Sequence, residues 1–152
     1  MSILTYGATK LVNKLKIDFE TVRKSCQLYA NEVDEFVNII AINRGGLVPG
    51  VIMSHMIENS SFSIIDYRTR DGETKDLRFV MNNMRSLENS KNLIVDDICD
   101  SGLTLCHVSA MFDEMDIDTE SFTICNKLSA IHQPTVSFHI VQDDTWVVFP
   151  WE

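Results

Sequence analysis

No apolar stretch in this 152-residue sequence approaches the roughly 20 residues that a bilayer-spanning helix needs. Met1 to Lys16 mixes Lys, Asn and Thr with its apolar residues and has no signal-peptide core, so a cytoplasmic protein without membrane insertion is expected. No CxxC pair is present. Cys26, Cys99, Cys106 and Cys125 are scattered and fit free thiols in a reducing compartment. Zinc sites usually need two closely spaced ligand pairs, which Cys99, Cys106 and His107 do not provide. Basic charge is scarce too. The formal net charge of −9 argues against nucleic acid as a main partner, since that affinity comes largely from neutralising phosphates. Internal repeats, low-complexity tracts and linkers are also missing, and one domain with one core fits the length.

Hydrophobic periodicity predicts alternating helices and strands. Asp18 is a plausible helix N-cap, and Phe19, Val22, Cys26, Tyr29 and Val33 recur at steps of three and four behind it. Phe36 to Ile42 is a buried strand by its β-branched content, and Gly45 and Gly46 end it. Pro49 sits where a helix can begin, and Val51, Ile52, Met56 and Ile57 continue helically. Phe62 to Asp66 and Asn92 to Asp96 are two further strands. A helix from about Leu103 to Glu114 follows, then strands at Ser121 to Cys125, Ser137 to Val141 and Trp146 to Phe149. Arg68 to Met84 is dominated by polar and charged residues and is predicted as a long mobile excursion with a weakly strand-like piece near Leu77 to Met81. This order argues for an α/β fold with a mostly parallel central sheet flanked by helices.

The chemistry concentrates in Ile94 to Leu105, IVDDICDSGLTL. In open α/β sheets, ligands bind beyond the carboxyl ends of the strands, where Asp97 would lie. The helix N-terminus that follows presents unpaired amides and a partial positive charge to an anion. Ser101 and Thr104 add hydroxyls, and Gly102 permits close approach of backbone to phosphate. Asp96 and Asp97 can accept hydrogen bonds from a vicinal diol or help to hold hydrated Mg²⁺. Together these describe a site for a ribose 5-phosphate. Any one of these residues alone would more simply be a turn cap. At the end of an earlier strand, Asn43-Arg44-Gly45-Gly46 combines a fixed cation with exposed amides and suits a diphosphate.

IVDDICDSGLT resembles the phosphoribosyl pyrophosphate-binding signature of type I phosphoribosyltransferases, with Ser101 where Thr is commoner. RGGLVPG, from Arg44 to Gly50, closely resembles the pyrophosphate loop of the xanthine-guanine (hypoxanthine) members. That resemblance implies a type I phosphoribosyltransferase fold over residues 1–152 as a single domain, with a mobile lid at about 68–85. It also implies a small C-terminal hood over the purine pocket, at about 125–152. The reaction implied is transfer of phosphoribose from 5-phosphoribosyl 1-pyrophosphate to a 6-oxopurine, by a glycosyltransferase of purine salvage.

By the same resemblance, Ser101, Gly102, Leu103 and Thr104 bind the 5-phosphate, and Arg44, Gly45 and Gly46 bind the pyrophosphate. Asp97 and Asp96 hold Mg²⁺ and the diol, and Asp100 is the general acid/base on the purine N7. Lys127 donates to the 6-oxo group, Trp146 stacks on the base, and the backbone at Val147 reads its 2-substituent edge. Lys127 is the only Lys or Arg after Lys91, but Leu128 follows it where the family commonly has Pro. In the family the peptide before Arg44 is often cis. Six of the 13 Lys and Arg residues (Arg68, Arg70, Lys75, Arg78, Arg85 and Lys91) fall in or beside the lid, where Lys75 would contact pyrophosphate. A homo-oligomer, dimer or tetramer, is implied. The competing readings are a phosphoribosyltransferase for another base such as orotate, a nucleotide-sensing regulatory protein of the same fold, and a structural subunit.

Overall fold

The computed structural model describes residues 13–70, 73–81 and 87–152, with backbone only at 69–70, 73–77 and 80–81. In chain order the elements are β1 (Asn13–Lys16), α1 (Phe19–Ala30), β2 (Val37–Asn43), α2 (Leu47–Met56), β3 (Ser60–Arg70) and β4 (Glu73–Met81). A 3-10 turn at Leu87–Asn89 leads into β5 (Lys91–Cys99), α3 (Leu103–Glu114), β6 (Glu120–Lys127), β7 (Val136–Val141) and β8 (Thr145–Val148).

Six strands form one sheet in the order β4-β3-β2-β5-β6-β7. All neighbours are parallel except β3 and β4. The interior of this sheet is covered on both faces, which explains why β2 and the first part of β5 are almost continuously apolar. One face packs residues of α1 and α2 (Val22, Cys26, Met53) against Val95, Phe122 and Ile124. The other packs α3 (Leu105, Val108, Phe112) against Ile40, Ile42 and Ile94. Asn38 is buried within β2, and a side-chain row crosses the sheet through it. Asn38 Nδ2 donates to Asn92 Oδ1 at 2.9 Å, and Ser61 Oγ donates to Asn38 Oδ1 at 2.6 Å. Both partners are its register neighbours, so the row ties β5, β2 and β3 in one alignment.

Two expectations are corrected. Of the stretch from Arg68 to Met84, the described residues are strand: β3 runs on to Arg70 and β4 returns antiparallel beside it, from Arg70 opposite Glu73 to Ile64 opposite Met81, taking in the strand-like piece expected at Leu77 to Met81. As the edge of the sheet, this hairpin has no need of apolar alternation on its outer part, which is why its composition suggested a loop. The Lys75 side chain and Arg85 lie outside the described residues. The second correction concerns β5, which continues past Asp96 to Cys99. Asp97 therefore sits within the strand, at the point where pairing with β6 skips one residue between Asp96 and Ile98.

Near the C-terminal end, β8 pairs in parallel with β1 in a separate two-stranded sheet, with Lys14 opposite Trp146. Val147 and Phe149 are buried in the same cluster as α1. Residues 125–152, the region expected to hood a purine, thus hold the end of β6, β7 and β8. Among the described residues no helix is long and apolar enough to cross a membrane.

Candidate active site

The strand order reverses direction at β2: the chain passes from β2 outward to β3, then returns to β5 on the other side. The carboxyl ends of β2 and β5 therefore open into a crevice at a topological switch point, the usual ligand position in such sheets. Both motifs singled out from the sequence lie there. Asn43-Arg44-Gly45 ends β2, and Asp96 to Thr104 spans the end of β5 and the start of α3.

Two cavities share this crevice. The larger, about 860 Å³, is lined by Asn43, Arg44 and Gly45, by Asp66, Tyr67 and Arg68, and by Asp96, Asp97 and Thr104, with Trp151 and Glu152 closing it. The smaller, about 230 Å³, lies within the turn from Asp96 to Leu105 and includes Asp100, Ser101 and Gly102. Asp96, Asp97 and Thr104 belong to both. An elongated ligand with an anionic group at each end would pass over these three residues.

The smaller cavity is shaped by Gly102, whose φ of +83° lies in the left-handed region. A Cβ there would stand 2.6 Å from His132 N and 2.7 Å from His132 O, so glycine is required on both counts. The loop after β6 buttresses the turn: Ile131 N donates to Ser101 O at 2.8 Å, and Cys99 Sγ to His132 O at 3.1 Å. No side chain caps the start of α3 at Gly102. Ser101 Oγ accepts only a long bond from Leu103 N, 3.3 Å, and keeps its own hydrogen available. An exposed helix start with a hydroxyl beside it is a ready anion site.

The acids differ in setting. Asp96 is buried, and its Oδ1 accepts from Asp97 N at 2.9 Å. Burial, with the charge of Asp97 beside it, raises its pKa well above the usual carboxylate range. Asp97 is raised as well, chiefly by burial and further by the charge of Glu152, while a hydrogen bond from the Trp151 side chain acts the other way. Its carboxylate lies over Gly45: a Cβ on that residue would come within 2.5–2.6 Å of the Asp97 carboxyl atoms. Gly45 is thus the residue that lets the β2 loop and the β5 acid share one surface. The Asn43–Arg44 peptide bond is cis. Among the described residues no group of three or more His, Cys, Asp or Glu side chains forms a metal cage. Asp97 with Glu152 offers hard oxygen donors of the kind that Mg²⁺ uses when it is carried partly by substrate phosphates.

Asp100 and Lys127, which the sequence places 27 residues apart, meet. Lys127 Nζ lies 2.7 Å from Asp100 Oδ1 and donates to Asp143 O at 3.2 Å. Lys127 is buried, whereas the Asp100 side chain is 65% exposed, so the pair presents its acid outward. Trp146, 59% exposed, and Val147, buried, line neither cavity. Two aromatics do line the larger cavity, Tyr67 and Trp151, the latter stacked on Phe149 at 5.0 Å between ring centroids. Sequence reasoning gave no individual site role to Asp66, Tyr67, Arg68 or Glu152, although Arg68 was among the lid cations and Glu152 fell in the purine-pocket region at about 125–152. The first three sit at the end of a strand whose full length was not foreseen, and Glu152 is placed only by the tertiary fold. Burial pushes the thiols of Cys26 and Cys125 up to about 12 and that of Cys99 to about 11.

Comparison with known proteins agrees with this geometry. The family model described as "Phosphoribosyl transferase domain" matches residues 8–152. A xanthine-guanine phosphoribosyltransferase of Gluconobacter oxydans is 31% identical over 124 residues, 77% of this chain and 69% of its own. Another from Desulfotalea psychrophila is 30% identical over 126 residues, 78% of this chain and 72% of its own. The crystal structure of a purine phosphoribosyltransferase from Pyrococcus horikoshii Ot3 superposes with a TM-score of 0.77 at 25% identity, covering 91% of this chain and 94% of that one. The chain belongs to the phosphoribosyl transferase domain family, as an enzyme of the pentosyltransferase class.

Proposed function

We propose that this enzyme transfers phosphoribose from 5-phosphoribosyl 1-pyrophosphate to a 6-oxopurine (guanine, xanthine or hypoxanthine), releasing pyrophosphate and the nucleoside 5′-monophosphate. The observation that carries the reading is the pair of cavities joined through Asp96, Asp97 and Thr104. The smaller would take the 5-phosphate on the amides and hydroxyls of Ser101 to Thr104. The larger would take the pyrophosphate beside Arg44 and Gly45, and the ribose diol would lie over the two acids; the Gly46 amide, expected from the sequence to be exposed, instead donates to Ile42 O at 2.9 Å and lines neither cavity. The names of the relatives support the purine acceptor.

Mg²⁺ fits the donor set at Asp97, with Asp96 behind it, and when bound supplies positive charge to the departing pyrophosphate. The chain's own groups do the rest. Arg44 offsets the charge that grows on the leaving group as the anomeric bond breaks. Asp100 takes the N7 proton as the purine attacks, which neutral-pH chemistry requires of a positioned base. Lys127 donates to the 6-oxo atom, exchanging part of its bond to Asp100 for one to the base, so that acceptor binding and release of the acid are coupled. The exposed indole of Trp146 stacks on the purine, a contact of about 1–3 kcal/mol, and the Val147 backbone meets its 2-substituent edge. Lys75 would be the lid contact to pyrophosphate, and the assembly would be a dimer or tetramer.

Pyrophosphate release measured with guanine, xanthine, hypoxanthine, adenine and orotate, each with and without Mg²⁺, tests this directly. Metal-dependent turnover with the 6-oxopurines is expected. Turnover with adenine or orotate alone would overturn the acceptor assignment.

A further inference from the structure

Asp66 and Arg68 stand two apart on β3, and their side chains therefore share one face of the strand. Arg68 Nε donates to Asp66 Oδ2 at 2.9 Å. The other carboxylate oxygen, Oδ1, accepts from Asn43 Nδ2 at 3.0 Å, because Asn43 is the register neighbour of Asp66 on the parallel strand β2. Arg78, the register neighbour on β4, reaches Oδ2 at 3.9 Å. One carboxylate therefore ties the residue immediately before the Arg44 loop to two guanidinium groups on the edge hairpin.

Exposure divides these charges. The Asp66 side chain is 7% exposed and that of Arg68 is 68% exposed. The acid lies behind and the cation in front, so this edge of the cleft shows positive charge to a ligand despite the chain's net charge of −9. Arg68 lines the 860 Å³ cleft together with Arg44, whereas Arg78 does not line it. Its Nε is spent on Asp66, which fixes the plane of the guanidinium, and a guanidinium so held is pre-organised to grip a phosphate with its remaining donors.

We propose that Arg68 is a pyrophosphate-binding residue, a second cation of the cleft beside Arg44, and that Asp66 is its positioning residue. The inference rests on the reading that this cleft takes the pyrophosphate end of the donor. It extends that reading to a side chain on β3.

Calorimetric titration of wild type, Arg68→Ala, Arg68→Lys and Arg78→Ala with inorganic pyrophosphate and Mg²⁺ tests it, with turnover of the wild type measured separately. Arg68→Ala is expected to weaken pyrophosphate about tenfold or more, as loss of a charge-assisted contact does. Arg68→Lys should recover part of that loss, and Arg78→Ala should stay within about twofold of wild type. Asp66→Asn keeps the cation and loosens its aim, so it should fall between wild type and Arg68→Ala while the melting curve still shows a folded protein. Equal affinity in wild type and Arg68→Ala overturns the proposal, and so does a wild type that does not bind pyrophosphate. Arg68-dependent pyrophosphate binding in a wild type that turns over no purine would contradict the proposed acceptor chemistry alone.

Discussion

Asp100 and Lys127 illustrate what single residues contribute. Each was visible in the sequence, one within the acidic motif and the other as an isolated Lys closing a strand, but their 2.7 Å contact was not. A buried Lys needs an acid or carbonyl partner, and here it has both. Asp100→Asn should lower kcat about 100-fold or more while the KM for the donor moves little. Steady-state kinetics with saturating purine would show this, and an unimpaired variant would remove Asp100 from the acid/base role. Lys127→Ala should raise the KM for 6-oxopurines selectively, and an equal loss with adenine would contradict its role. Asp66 gives a pH prediction. Its pKa is lowered, first by the Asn43 hydrogen bond and then by Arg68 and Arg78. A lowered carboxylate stabilises the fold above its unfolded value of about 3.9, and the contribution disappears as pH falls through the lower folded value. The melting temperature of Asp66→Asn should therefore lie below wild type at pH 7, with the gap narrowing below about pH 4. A gap that widens on acidification would refute the sign.

The turn from Asp97 to Thr104 and the loop after β6 act as one element. Gly102 fits between them with φ +83°, against the His132 backbone. Gly102→Ala should cost about 1–2 kcal/mol from the left-handed backbone alone, and more from the displaced loop. Thermal melting should fall by at least about 2 °C, and the donor KM should rise through distortion of the phosphate turn. Unchanged melting and KM would mean that the turn is not rigid. Elements with one strong local signal were legible in the sequence. Asp18 caps α1, its Oδ1 accepting from Thr21 N at 2.7 Å, and α3 spans Leu103–Glu114 where its periodicity placed it. Of the hairpin β3–β4, the strand from Phe62 and the strand-like piece at Leu77 to Met81 were legible; its outer part was not, because an edge strand is specified by its neighbour's hydrogen bonds more than by its own side chains. The pairing of β1 with β8 joins residues about 130 positions apart and leaves no mark in a local window.

At the scale of the whole molecule, the sheet order brings Arg44, Arg68 and the turn from Ser101 to Thr104 to one crevice. Phe112, on α3, is fully buried against that sheet and packs edge-on against Phe79 at 6.1 Å. Phe112→Ala should cost about 3–5 kcal/mol of stability, read by denaturant unfolding, and a loss below about 1 kcal/mol would show that α3 is held by other contacts. The parallel core followed from the sequence, since buried strands alternating with helices allow few other topologies, whereas the strand order that sets the switch point did not. The purine-pocket region expected at about 125–152 includes Trp151 and Glu152, but that these two line the larger cavity depends on where they come to rest in the fold. A crystal structure of the complex with 5-phosphoribosyl 1-pyrophosphate and Mg²⁺ is the most direct test. The 5-phosphate should lie within hydrogen-bonding distance of the amides and hydroxyls of Ser101 to Thr104, with the ribose over Asp97. A donor bound elsewhere, with this turn in contact only with protein atoms, would contradict the account.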